Sequence, residues 1–209
     1  MYFVANWKNK QNLAGAREFI EKMAGADLPK GAEVIVCPPE AFLNWPEWDM
    51  LPVTLGAQDA TEKTLANPKV KYCLVGHSDR RKLGEGEDII AQKIAALLAK
   101  NITPLLCFSK LSQIKEYRSY TTYKTYIFCY EPPENISQGG QFKAVDLEKV
   151  KKELTQYKKD LEPEATLLYG GSVNAQNIKP LAKIPRLSGF LVGQASLNYQ
   201  DFINLINAI

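Results

Sequence analysis

The chain has 209 residues, 45% of them hydrophobic, which is enough to bury one substantial core and allows at most one or two domains. Its net charge of +3 comes from 26 basic and 23 acidic residues that are interspersed, so it lacks the concentrated positive field of a nucleic-acid-binding or membrane-surface protein. No apolar stretch reaches membrane-spanning length, and Asn6 and Lys8 interrupt the first apolar run where a secretory signal would continue. A soluble, cytoplasmic protein without nucleic-acid or membrane partners is expected.

Residues 2–8 form an apolar run whose end turns polar, a first strand with Asn6 and Lys8 alternating onto one side. Leu13, Ala16, Phe19, Ile20 and Met23 then recur at helical spacing, and Gly25 stops the run. Residues 33–37 are the second strand, ended by Pro38-Pro39. Residues 41–48 can form only a stunted helix, because Pro46 removes a donor. Residues 53–58 make the third strand. The segment 59–70 behind it is barely long enough for a parallel crossover and carries Asn67-Pro68, so most of its helix is expected to be missing.

Residues 72–75 are the fourth strand, and they run into Gly76-His77-Ser78-Asp79-Arg80-Arg81. Gly76 allows a sharp turn just before the only histidine of the chain, and Ser78 and Asp79 are helix-start residues. Two readings of His77 stay open here. It is either a histidine satisfied within a loop, or an imidazole kept neutral by the positive end of a helix dipole and able to donate one hydrogen bond as an electrophile.

Ile90, Ile94, Leu97 and Leu98 mark a full amphipathic helix with Glu87 and Asp88 in its first turn. Residues 103–108 are the fifth strand. Residues 110–123 are polar and tyrosine-rich, with at most a short helix around Ile114, so a second crossover is trimmed. Residues 126–130 are the sixth strand and deliver Glu131 at their carboxyl end, after which Pro132-Pro133 forces an extended exit. Leu147, Val150, Leu154, Tyr157 and Leu161 give the clearest amphipathic helix, with residues 149–152 as its solvated basic face. Residues 166–169 are the seventh strand, leading to Gly170-Gly171-Ser172. Residues 188–193 are the eighth, and a last helix covers 201–209. Cys37, Cys73, Cys107 and Cys129 each lie in one of the apolar runs without the short paired spacing of a zinc or redox site, and are expected to be buried reduced thiols.

Eight apolar strands alternating with helices or remnants of helices predict an α/β chain folded as one (β/α)8 TIM barrel domain over residues 1–209, with trimmed crossovers after strands 3 and 5. An open doubly wound sheet is the runner-up. The barrel is preferred because Lys8, Gln58, His77, Glu131, Ser172 and Gly193 all follow apolar runs and would ring the carboxyl-terminal face, where barrel enzymes build their sites.

The motifs Asn6-Trp7-Lys8, Gly76-His77-Ser78-Asp79-Arg80-Arg81, Tyr130-Glu131-Pro132, Tyr169-Gly170-Gly171-Ser172-Val173-Asn174 and Gly189-Phe190-Leu191-Val192-Gly193 resemble those of triosephosphate isomerases, in that family's order. Cys37-Pro38-Pro39 and Gly56-Ala57-Gln58 add to the likeness, which runs from the first strand to the last helix. Without it, Glu131 would read as a surface glutamate and Gly170-Gly171 as a tight turn.

The resemblance implies an isomerase that interconverts dihydroxyacetone phosphate and glyceraldehyde 3-phosphate through an enediolate, without metal or organic cofactor. This family is itself the standard example of a glutamate base beside a neutral histidine. Carried over residue by residue, Glu131 is the base, His77 the neutral donor that polarises the carbonyl, and Lys8 the fixed cation, oriented by Asn6. Backbone N–H groups of Gly171, Ser172, Gly193, Gln194 and Ser137 would hold the phosphate, and residues 132–140 would form the mobile lid.

Several positions depart from the family. Ser137 and Gln194 stand where it has glycines, and Asp79 is one methylene shorter than the glutamate that follows its histidine. The stretch between Gln58 and Tyr72 has no room for the family's dimer arm, so a monomer or a non-standard oligomer is expected, with an incomplete helical layer. A weakly catalytic sugar-phosphate-binding barrel and an isomerase of larger phosphorylated substrates are the competing readings.

Overall fold

The computed structural model describes residues 1–115, 126–136, 143–161 and 164–209. Within them, β1 (Tyr2–Asn6), β2 (Glu33–Cys37), β3 (Thr54–Ala57), β4 (Tyr72–Val75), β5 (Thr103–Phe108), β6 (Ile127–Tyr130), β7 (Thr166–Tyr169) and β8 (Gly189–Val192) pair in parallel, each with the next. The sheet closes where Tyr2 to Ala5 of β1 pair with Gly189 to Val192 of β8. It is a closed (β/α)8 barrel, and closure leaves no open edge, which rules out the open doubly wound sheet.

The period-2 alternation sorts each strand onto two faces. Val4, Ile35, Leu74, Leu105, Ile127, Leu168 and Leu191 pack together inside the barrel with Cys37, Cys107 and Cys129. Their neighbours Phe3, Ala5, Val34, Val36, Cys73, Phe128, Leu167 and Phe190 face outward into the layer between strands and helices. All four cysteines are buried free thiols.

The outer layer is uneven. α1 (Leu13–Ala24), α4 (Glu87–Ala99), α6 (Leu147–Asp160) and α8 (Tyr199–Ile206) are full helices, whereas α2 (Glu62–Ala66), α3 (Ser78–Lys82), α5 (Leu111–Lys115) and α7 (Ile178–Ala182) each have five residues. The crossover after β3 is trimmed as expected. That after β5 begins with α5, and most of its tyrosine-rich part lies outside the described residues.

Several boundaries differ from the sequence reading. β1 stops at Asn6 because Trp7 turns into the α region and Lys8 takes φ +48°. Residues 41–48 form no α-helix but lie within and between two 3-10 turns, Glu40–Phe42 and Pro46–Met50. α7, which the pattern did not announce, buries Ile178 and Leu181 in spite of Pro180.

Candidate active site

The site is built where strands end. β4 hands over to α3 through Gly76, whose φ of +67° is open to glycine at little cost, and a Cβ there would come within 3.0 Å of the Cys107 carbonyl. His77 follows as the N-cap of α3 rather than a residue ahead of it, and its Nδ1 accepts the Asp79 backbone N–H at 3.2 Å. A nitrogen that accepts carries no proton, so the proton of the neutral ring sits on Nε2. His77 Nε2 lies 3.0 Å from Glu131 Oε1. The second carboxylate oxygen, Oε2, accepts the Ser78 backbone N–H at 3.0 Å. Glu131 is 3% exposed and His77 6%, so this hydrogen-bonded pair is shielded from water and its electrostatics are undiluted.

Glu131 reaches this point because β6 ends at Tyr130 and the Glu131 N–H donates to the Phe108 carbonyl at 2.8 Å, continuing the barrel's edge. On its other side lies Gly170, where a Cβ would stand 3.1 Å from Glu131 Cγ. A side chain there would press on the carboxylate arm.

Lys8 stands across the same floor in a left-handed backbone conformation that non-glycine residues seldom adopt. Two side chains over-determine it. Asn6, buried at 3% exposure, accepts the Lys8 N–H on Oδ1 at 2.9 Å, and the Gln58 amide nitrogen donates to the Lys8 carbonyl at 2.7 Å and to the Cys37 carbonyl at 2.9 Å. The Lys8 ammonium lies 3.5 Å from Asp79 Oδ2. Burial raises the Asp79 carboxyl most, but Lys8, His77 and Lys82 together outweigh it and the group sits below its ordinary value.

A cleft of about 30 Å³ is lined by Asn6, Lys8, His77 and Glu131 on one side and by Gly170, Gly171, Ser172, Gly193 and Gln194 on the other. The structure therefore brings eight of the nine residues singled out from the sequence to one place. Ser137 lies outside the described residues. One donor is already in use: the Ser172 N–H donates to the Asn135 carbonyl at 2.8 Å and the Ser172 hydroxyl to the same oxygen at 2.7 Å. Asn135 belongs to the 3-10 turn Pro133–Asn135 that opens the expected lid, so the loop after β7 holds the base of the lid. The Tyr169 hydroxyl beside it is buried with no hydrogen-bond partner among the described residues.

Sequence reasoning placed Gln58 on this face without a role, and missed Ser78 and Asn135 as parts of the arrangement. Ser78 and Asn135 act through backbone groups, which residue type does not advertise. A helix start behind a histidine is the only cue for the Ser78 N–H, since the first N–H groups of a helix always lack internal partners. Among the described residues no group of three or more His, Cys, Asp or Glu side chains could hold a metal ion.

The family model described as triosephosphate isomerase matches residues 1–209. The chain is 28% identical over 243 aligned positions to a protein named triosephosphate isomerase from Shewanella denitrificans, covering 96% of this chain and 94% of that one. It is 29% identical over 235 positions to one of the same name from Pseudomonas putida, covering 94% and 93%. It is also 29% identical over 247 positions to one from Amoebophilus asiaticus, covering 98% and 97%. With a match along its whole length to the family model, on a barrel whose strand ends gather Lys8, His77 and Glu131, the chain belongs to the triosephosphate isomerase family.

Proposed function

We propose that the chain interconverts dihydroxyacetone phosphate and D-glyceraldehyde 3-phosphate by moving one proton between adjacent carbons. The observation that carries this reading is the single cleft in which the Glu131 carboxylate, the His77 Nε2–H and the Lys8 ammonium face the glycine-rich ends of β7 and β8. Substrate phosphate would take the backbone N–H groups at Gly171 and at Gly193-Gln194, beside the 3-10 turn Gln194–Ser196. The carbonyl oxygen would then replace Glu131 Oε1 as the acceptor of the His77 Nε2–H, with the Lys8 ammonium beside it to stabilise the enediolate.

Glu131 must exchange its Ser78 N–H for a carbon-bound proton, and Gly170 leaves the arm space to do so. Removing water around the carboxylate strengthens it as a base, for which the lid that the resemblance implies for residues 132–140 would serve, though 137–140 lie outside the described residues. The reading invokes no metal or organic cofactor.

The test is a coupled assay of glyceraldehyde 3-phosphate isomerisation, with enzyme free of host isomerase, on the wild type and Glu131→Gln. Loss of roughly three orders of magnitude or more in kcat is expected, since a general base contributes about 10²–10⁴-fold. Equal trace rates in both proteins, with phosphate ligands still bound, would instead identify a barrel that recognises triose phosphates without turning them over.

A further inference from the structure

A second, larger cleft opens directly beside the first. It measures about 220 Å³ and shares Asn6, Lys8 and His77 with the small one, but not Glu131 or the glycine-rich loops. Its further lining includes Glu40, Gln58, Asp59, Thr61, Asp79 and Arg80, from the ends of β2, β3 and β4. It is open because the crossover after β3 contributes only the five residues of α2. A water needs about 10–15 Å³ of such space, so the cleft has room for several non-hydrogen atoms while the small one is nearly full.

We propose that this cleft extends the reaction site, so that the enzyme also isomerises phosphorylated hydroxy ketones longer than a triose. The inference rests on the triose phosphate reading, because that reading sets the direction of the substrate. With phosphate at the β7 and β8 loops and the reacting carbons between Glu131 and His77, the carbon farther from phosphate points past Lys8 and His77. The large cleft lies on that side. The span from phosphate to Glu131 is fixed by the barrel, so the reacting pair must stay next to the phosphate-bearing carbon and any added carbons must lie beyond it.

The shortest substrate of this class is a tetrulose 4-phosphate. Glu131 breaks the bond between C3 and its hydrogen and returns that proton to C2. The hydroxyl proton passes from O3 to O2, the 2-ketone becomes the 3-ketone, and no electron leaves the substrate. The added hydroxymethyl group on C2 would occupy the large cleft.

The lining suits hydroxyl groups. The Gln58 amide nitrogen is committed to the Lys8 and Cys37 carbonyls, which leaves its amide oxygen as an acceptor. Three carboxylates, of Glu40, Asp59 and Asp79, line the cleft. Each is paired with a cation, Glu40 with Lys63, Asp59 with Lys93 and Arg80, and Asp79 with Lys8, so the lining carries no excess of charge and presents oxygen acceptors. A hydroxylated carbon can donate to these oxygens.

The experiment follows D-erythrulose 4-phosphate in D2O by NMR, scoring deuterium at C3 and appearance of the 3-ketone, beside the assay with glyceraldehyde 3-phosphate. Wild type and Glu40→Trp are compared, since Glu40 is an exposed rim residue whose ion pair among the described residues is with Lys63, and a tryptophan there fills the cleft. Turnover of both substrates by the wild type, with Glu40→Trp losing at least tenfold in kcat/KM for the tetrulose phosphate and less than twofold for the triose phosphate, is the expected result. The triose rate also reports that the variant is folded. Triose turnover without exchange or competitive inhibition by the tetrulose phosphate overturns the inference and leaves the triose reading standing; this comparison needs the wild type alone. Tetrulose exchange that Glu40→Trp leaves untouched also overturns it, since the added carbon then lies elsewhere. Silence with both substrates overturns both readings.

Discussion

At Lys8 a side chain is held in place by backbone strain that its neighbours maintain. The left-handed conformation costs a non-glycine residue on the order of 1–3 kcal/mol, and it persists because Asn6 and Gln58 hold the N–H and the carbonyl on either side of it. At Gly170 the constraint is steric. Gly170→Ala would place a methyl group 3.1 Å from Glu131 Cγ, and a displaced base can cost about a hundredfold in rate. We expect kcat to fall by about 10–100-fold with KM changed little, as steady-state kinetics will measure; an unchanged kcat would mean that the arm of Glu131 relaxes without consequence. That Lys8, His77 and Glu131 would gather at the strand ends was legible because each follows an apolar run, whereas the roles expected of them came only from the family resemblance. The turn at Lys8 was not, since nothing in a lysine marks a positive φ. The Ser172 N–H was read as a phosphate donor, and its use by the Asn135 carbonyl depends on a loop from another strand, which no local pattern contains.

α3 is the element that carries the His77 ring, and five residues cannot stabilise a helix alone. Its anchors are ionic. Arg80 bonds Glu85 through Nε at 2.7 Å and lies 3.0 Å from Asp59, and Lys93 on α4 lies 2.5 Å from both of those carboxylates. Arg81 adds a bond from Nε to the Gly76 carbonyl at 2.7 Å and one to Glu87, also at 2.7 Å. Burial raises the Glu85 carboxyl, but its hydrogen bonds from Lys93 and Arg80 outweigh this and hold it below the ordinary value. Glu85→Gln leaves two cations facing one carboxylate, at a cost of about 1–3 kcal/mol. Thermal unfolding is expected to show Tm lower by roughly 3–10 °C for a chain of this size; an unchanged Tm would show that the ring does not anchor α3. The long helices α1, α4 and α6 were legible from their apolar spacing. α7 was not, because five residues around a proline give no period to read.

For the whole molecule, the thiols inside and around the barrel decide the alkaline limit. Burial pushes Cys37, Cys73 and Cys107 above the ordinary thiol value of 9.0. A group whose folded pKa is raised contributes stability below its unfolded pKa and loses it as pH rises toward the folded one. Lys158 works the other way: burial, and Arg186 after it, lower it from 10.5 to about 8, so between those values the unfolded chain binds the extra proton. Three thiols oppose one lysine. Stability is therefore expected to fall above pH 9, by up to about 3 kcal/mol per unit once the unfolded thiols ionise, and urea midpoints from pH 7 to 10.5 will measure it. A flat profile would mean that these thiols ionise as easily in the fold. Sedimentation is expected to show a monomer or an association through another surface, and a dimer docked through residues 59–70 would contradict it. The barrel was legible as eight runs with polar ends, but its closure was not, because pairing between residues 2 and 189 leaves no mark on either segment. At that seam a Cβ on Gly189 would run into the Tyr2 carbonyl, so the last strand fits the first only through a bare backbone. Synthesis makes this seam a matter of timing: at about 5–20 residues per second, β1 leaves the ribosome roughly ten seconds or more before β8 exists to cover it. A substitution that makes Phe3 and Val4 more adhesive will therefore reduce the yield of soluble protein even where the finished barrel is just as stable.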